Sequence, residues 1–300
     1  MATLYTQQDS NVRKTWLLMS IFLVVIIALG WFISYVYNES GFLYVAVIFS
    51  VLMNIGSYWY SDKIVLSLAH AREIEQTENP VLYGVVENLC ITAGLPMPRL
   101  YMIDDPAPNA FATGRDKNHA AVAVTTGILQ MMTRTELEGV IAHELSHIGN
   151  RDILISTVVV VLAGFVSILS HMFLRFGGFG SGRRDREGRV GAILLIAGIV
   201  LAILSPIIAT IIRLAISRRR ESLADASGVL LTRYPAGLAS ALEKIEQYGK
   251  RMQNVNPAIA HLYIASPFGH DEEDTPGFFE KLFMTHPPIE ERIKALRAME

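Results

Sequence analysis

The sequence predicts a mainly α-helical integral-membrane protein in which four apolar hairpin helices are interleaved with two polar blocks, the blocks folding together as an α+β domain with a small sheet. Three observations predict it. Of the 300 residues, 51% are hydrophobic and only 18% are charged, too apolar a mixture for an ordinary soluble chain of this size. The apolar residues are gathered into four long runs. Between and after those runs lie polar stretches with short strand-like and helical patterns.

The net charge of −2 gives no bias toward nucleic acid, and no nucleic-acid partner is expected. The one cysteine, Cys90, excludes an intramolecular disulfide and a cysteine-based metal site. It reads as a small buried apolar residue of a helix and fits a cytosol-facing protein.

Residues 1–60 form the first unit. Apolar runs at 16–37 and 42–60 are each close to the roughly 20 residues that cross a bilayer as a helix. The first run is longer than a signal-peptide core and has no small-residue cleavage site after it. A short link through Asn38, Glu39 and Ser40 makes the two a membrane hairpin. Arg13 and Lys14 precede it and Lys63 and Arg72 follow it, so the positive-inside rule puts both ends in the cytoplasm.

Residues 61–152 form the first polar block. Leu82, Val85, Val86 and Leu89 recur at helical spacing over 78–93, and Gly94-Leu95-Pro96 stops that helix. Residues 99–103 and 120–125 read as strands. Between them Asn109-Ala110-Phe111-Ala112-Thr113-Gly114 has the small residues of an exposed or edge strand. Thr133 with Glu136 three residues later marks the capped start of a helix that carries Leu137, Val140, Ile141, Leu145 and Ile148.

A second apolar hairpin is expected over 153–216, from runs at 153–176 and 190–216. Its link holds Arg175, Arg183, Arg184, Arg186 and Arg189, against the positive-inside preference if both runs cross. Residues 217–300 are polar again, with surface helices expected at 236–253 and 287–299 and a loop at 261–277.

The chemistry concentrates in His143-Glu144-Leu145-Ser146-His147. Histidines four apart share one helix face, so both imidazoles reach a single zinc ion. Glu144 sits beside the site, placed to take a proton from a water that the metal has acidified. Catalytic zinc takes three protein ligands and leaves one position open. The best third ligand is Glu221, within Arg218-Arg219-Arg220-Glu221-Ser222-Leu223-Ala224-Asp225, with Asp225 one turn away to orient a ligand histidine. The alternative for that segment is a charged juxtamembrane helix pairing with its own arginines. For His143, His147 and Glu221 to meet, the apolar chain between them must return to the side it left. The two polar blocks then make one domain.

Taken together, these stretches resemble peptidase family M48, as do Asn150-Arg151-Asp152 and Thr285-His286-Pro287-Pro288. The resemblance covers most of the chain. It implies a cytoplasm-facing, gluzincin-like zincin domain, one zinc ion per subunit, Glu221 as third ligand and Asp225 as its partner. It further implies an endopeptidase of the bacterial cytoplasmic membrane, working in protein quality control on misfolded or damaged membrane proteins or peptides at the lipid bilayer. Asn109, Ala110, Phe111 and Ala112 then resemble the edge strand on which an extended substrate pairs by backbone hydrogen bonds. His286 stands either as a group on the oxyanion or substrate, or as part of a rigid turn before its prolines. Two rivals remain at this point. One is a prenyl-peptide protease of the same family; the other is a membrane receptor whose zinc is structural, against which an unliganded Glu144 beside the metal argues. Asn150, Arg151 and Asp152 are expected to fix the end of the zinc helix, and His261 to be a surface or satisfied-core residue.

Overall fold

The computed structural model describes residues 4–162, 164–165, 218–269 and 288–300. The apolar run at 190–216, the arginine-rich link before it, His286 and half of the run at 153–176 lie outside the described residues.

Two helices, α1 (Leu4–Tyr37) and α2 (Gly41–Leu68), are long and apolar enough to cross a membrane. They run antiparallel, since Tyr37 packs on Phe42 next to the turn and Trp16 stacks on Tyr58 at the far end. Both outgrow their apolar runs. The extra turns are amphipathic extensions with partners in the polar domain: Asn11 and Thr15 on α1 and Val65 and Leu66 on α2 are buried.

The domain is built on a four-stranded sheet of β1 (Arg72–Glu73), β2 (Arg99–Ile103), β3 (Ala110–Gly114) and β4 (Ala120–Thr125). The order is β1-β2-β4-β3, with β2 and β4 parallel and the outer pairs antiparallel, so β3 is an edge strand. At two residues, β1 is too short to leave a periodic signal.

Because side chains alternate along a strand, the two faces of the sheet bury different neighbours. Leu100, Ala110, Ala112, Val122 and Val124 pack against α3 (Pro80–Ala93) and against α5 (Arg134–Gly149), which follows the short α4 (Thr126–Met131). Tyr101, Ile103, Phe111, Ala121 and Ala123 pack on the end of α2 and on the 3-10 turn Pro257–Leu262. Helix α3 is bounded as its sequence dictates: the Asn79 side chain accepts from the Leu82 amide, and Gly94 closes the helix at a left-handed φ of 64°. Cys90 is buried there, and burial pushes its thiol up to about 11.

Helix α5 starts on a complete capping box between Thr133 and Glu136. It ends at Asn150, after which Arg151 adopts a positive φ of 57°. The chain turns by 81° into α6 (Asp152–Leu162), whose Leu154, Val158 and Leu162 pack on Met19, Phe22 and Ile26 of α1.

The C-terminal half adds α7 (Arg218–Thr232), α8 (Pro235–Tyr248) and α9 (Ile289–Arg297). Helix α8 buries Leu238, Leu242 and Ile245 on the same core as α5 and exposes its other face. Helix α9 is likewise a surface helix with most of its residues exposed or half-buried. It is strongly amphipathic, and its inner face carries Arg292 and Leu296 into the interior.

Candidate metal centre

Helix periodicity places His143 and His147 on one face of α5, and α7 crosses that face with Glu221. The two Nε2 atoms lie 3.2 Å apart. Each faces a different oxygen of Glu221, at 3.7 Å in both cases. Donors around a tetrahedral zinc, with Zn–N near 2.0–2.1 Å, stand about 3.3 Å from one another. The three groups therefore fit a zinc ion, with one coordination position left for water or substrate.

The far side of each ring is held. Asp225 Oδ1 lies 2.9 Å from Nδ1 of His143, and Asp152 Oδ2 lies 3.2 Å from Nδ1 of His147. With each Nδ1 proton given to a carboxylate, the Nε2 lone pairs point to the metal position. Sequence reasoning paired Asp225 with a histidine, but it gave Asp152 only the task of ending the helix. In the structure Asp152 also holds the second imidazole.

Arg292 was missed altogether. Its Nε and Nη2 donate to the two oxygens of Asp225 at 2.9 and 2.7 Å, and its Nη1 donates to the Ile264 carbonyl at 2.8 Å. The signal that points to it is a lone arginine on the apolar stripe of an amphipathic terminal helix.

Charge supports the same reading. Glu144, Asp152, Glu221, Asp225, Arg220 and Arg292 are all buried. Among the described residues, these buried carboxylates outnumber the buried guanidiniums beside them, an excess of negative charge that favours a cation. Burial, followed by the charge of Arg292, lowers the pKa of His143. Burial also acts to lower His147, but the Asp152 hydrogen bond and the charges of Glu221, Asp152 and Glu144 outweigh it and raise the value to about 9. Burial pushes Glu144 up to about 7, with the Glu221 charge adding to the rise.

A cleft beside these groups is lined by Ala112, Glu144, His147, Arg220, His261 and Tyr263, among others. His261, expected at the surface or in ordinary core, is buried against the site. The four residues expected to pair with substrate are not equivalent. The Asn109 side chain is spent on Ala265, donating to its carbonyl at 3.0 Å, and the Ala110 carbonyl accepts from the Ile264 amide at 2.8 Å. Phe111 is wholly buried against Tyr263. Alternation along β3 turns the backbone of Ala112 to the same outer edge as Ala110. Of the four, Ala112 is the one that lines the cleft.

A model of peptidase family M48 matches residues 76–300. The chain is 48% identical over 302 aligned positions to a protein named "Protease HtpX homolog" from Caldanaerobacter subterraneus subsp. tengcongensis, covering 99% of this chain and 98% of that protein. Proteins of the same name from Thermoanaerobacter pseudethanolicus and Lactobacillus helveticus are 49% and 44% identical, with 99% of this chain covered in each case and 98% and 100% of the respective relatives. Among solved structures, Ste24p from S. mikatae aligns with a TM-score of 0.51 at 20% identity, covering 97% of this chain and 67% of that one. At that identity the likeness is one of fold.

Proposed function

The chain belongs to peptidase family M48 and is a membrane metalloprotease; from that premise we propose that it is a zinc endopeptidase in which His143, His147 and Glu221 hold the metal and Glu144 is the general base. The observation that carries this reading is the triangle of donor atoms, two Nε2 atoms 3.2 Å apart with each 3.7 Å from a Glu221 oxygen, beside a buried carboxylate that does not join it.

Bound zinc supplies Lewis acidity toward the scissile carbonyl and a lowered pKa for its water. The chain's own groups do the rest. Glu144, buried beside the donor triangle without joining it, takes the proton of the attacking water and returns it to the leaving amine. The Ala112 backbone, at the cleft edge of β3 beside Glu144, offers its free edge to an extended peptide. Edge pairing recognises backbone rather than side chains, which suits unfolded substrates.

The wider assignment extends this reading. Residues 1–60 and 153–216 are the two membrane hairpins, and 61–152 with 217–300 are the two halves of one catalytic domain. The domain faces the cytoplasm of a bacterium, and the substrates are misfolded or damaged membrane proteins. Packing of α6 against α1, directly after the zinc helix, supports a site held close to the bilayer. Glu144→Gln tests the core of it. The variant retains zinc, while cleavage of unfolded casein in detergent falls by at least about a hundredfold. A variant that still cleaves at the native rate removes Glu144 from the chemistry.

A further inference from the structure

The first membrane helix reaches the metal centre. Asn11, near the start of α1 and 3% exposed, sits where Nδ2 donates to Asp152 Oδ1 at 2.7 Å and to the Asn150 carbonyl at 3.2 Å. The other oxygen of that carboxylate, Oδ2, is the one 3.2 Å from Nδ1 of His147. An unbroken line of polar contacts therefore runs from a membrane helix to a metal ligand.

The place of these contacts matters as much as their existence. Helix α5 ends at Asn150, Arg151 takes the left-handed conformation that a residue with a Cβ disfavours, and α6 departs at 81°. The position of Asp152 relative to His147 depends on that bend. Asn11 grips one group on each side of Arg151, the carbonyl of Asn150 that caps α5 and the first carboxylate of α6, and so clips the bend from outside. Arg220, next to Glu221 on α7, approaches the same Oδ1 at 3.4 Å. Both contacts load Oδ1 and leave Oδ2 for the imidazole.

We propose that Asn11 is a positioning residue of the metal centre: by fixing Asp152 it holds the His147 ring with Nε2 toward the metal, so that seating of α1 is a condition for full zinc affinity. The proposal rests on the zinc reading above. It differs from a merely structural role, in which Asn11 fastens α1 to the domain and its loss weakens the fold without touching metal affinity.

The test is zinc affinity of the full-length protein in detergent, measured by competition with a chromophoric chelator. Wild type, Asn11→Ala, Asp152→Asn, the double variant and His147→Ala are compared, with circular dichroism to confirm folding. Loss of a partner that orients a ligand histidine weakens metal binding by about 10- to 100-fold. Asp152→Asn falls in that range, Asn11→Ala loses about tenfold, and the double variant is no weaker than Asp152→Asn alone, because both act through one carboxylate. Should Asn11→Ala fail to fold, Asn11→Leu keeps the helix and the volume and carries the same expectation. Wild-type zinc affinity in folded Asn11→Ala or Asn11→Leu overturns the proposal and leaves the zinc reading intact, as does full additivity in the double variant. Wild-type protein that binds no zinc, or His147→Ala that binds it normally, overturns both.

Discussion

Arg292 and Asp225 meet in a two-point ion pair, with Nε and Nη2 of the arginine 2.9 and 2.7 Å from the two carboxylate oxygens. The pair is buried, and the same carboxylate holds Nδ1 of His143. Arg292 moves the Asp225 carboxyl well below the usual range against the opposing effect of burial. Its guanidinium also grips the Ile264 carbonyl, whose amide pairs with Ala110 on the edge strand. One side chain of α9 thus fixes both His143 and a wall of the cleft.

Arg292→Met is therefore expected to destabilise the domain strongly. Removing one member of a buried pair leaves the other as an uncompensated charge, at a cost of about 3–5 kcal/mol. Arg292→Lys recovers little, since an ammonium cannot reproduce the fork that meets both oxygens. Thermal denaturation of detergent-solubilised protein measures both. A lysine variant as stable as wild type would show that charge alone, without the two-point geometry, holds α9 in place.

Asp225→Asn keeps the shape of the side chain and removes its charge. The His143 ring then loses its ionic partner, and zinc affinity drops by about 10- to 100-fold. Because Asp225 touches no substrate in this reading, excess zinc restores most of kcat. Chelator competition and a zinc titration of activity check the two halves. Unchanged affinity would mean that α5 alone orients the ring.

What could be read from the sequence, and what could not, follows the separation of the partners. The Thr133–Glu136 box and the His143–His147 pair span three and four positions of one helix, so local rules place them. Asp225 could be paired with a histidine because it lies one turn from Glu221. The contacts of Arg292 with Asp225 and of Asn11 with Asp152 bridge 67 and 141 residues. Nothing in the local pattern of α9 or α1 reveals which distant carboxylate each meets. The same holds for Asn109: its small-residue context reads as an edge strand, and β3 is one, but the segment at Ile264–Ala265 that takes up part of that edge comes from the other polar block. Such relations exist only once the two halves of the domain have met.

Metal removal should make stability depend on pH in a defined direction. In metal-free protein His147 is raised from 6.5 to about 9. A group raised in the folded state stabilises the fold below its unfolded value, and that contribution is lost as pH rises through the folded one. Glu144, raised from 4.5 to about 7, adds a decline of the same sign at lower pH. Between pH 7 and 9 the chelated protein is expected to lose stability, by about 5 °C or more in its unfolding midpoint. Zinc displaces the His147 proton, so the loaded protein lacks this slope. Unfolding scans with and without chelator decide it, and parallel slopes would count against His147 as a ligand.

Two glycines on helices that pack around the site separate close approach from helix propensity. A Cβ on Gly139 of α5 would stand 2.7 Å from the Leu238 amide nitrogen and 2.8 Å from its Cα. These are backbone atoms of α8 and cannot rotate away, so Gly139→Ala forces the two helices apart. That overpacking costs about 1–3 kcal/mol and shifts the helix that carries both histidines. A Cβ on Gly84, in the middle of α3, meets nothing within 4 Å. Gly84→Ala should instead stabilise the domain by about 0.5–1 kcal/mol through helix propensity alone. Opposite shifts in unfolding midpoint are expected, with zinc affinity reduced only for Gly139→Ala. If both variants gain stability, α5 and α8 are less tightly apposed than the Gly139–Leu238 contact requires, and the zinc helix is not braced from that side.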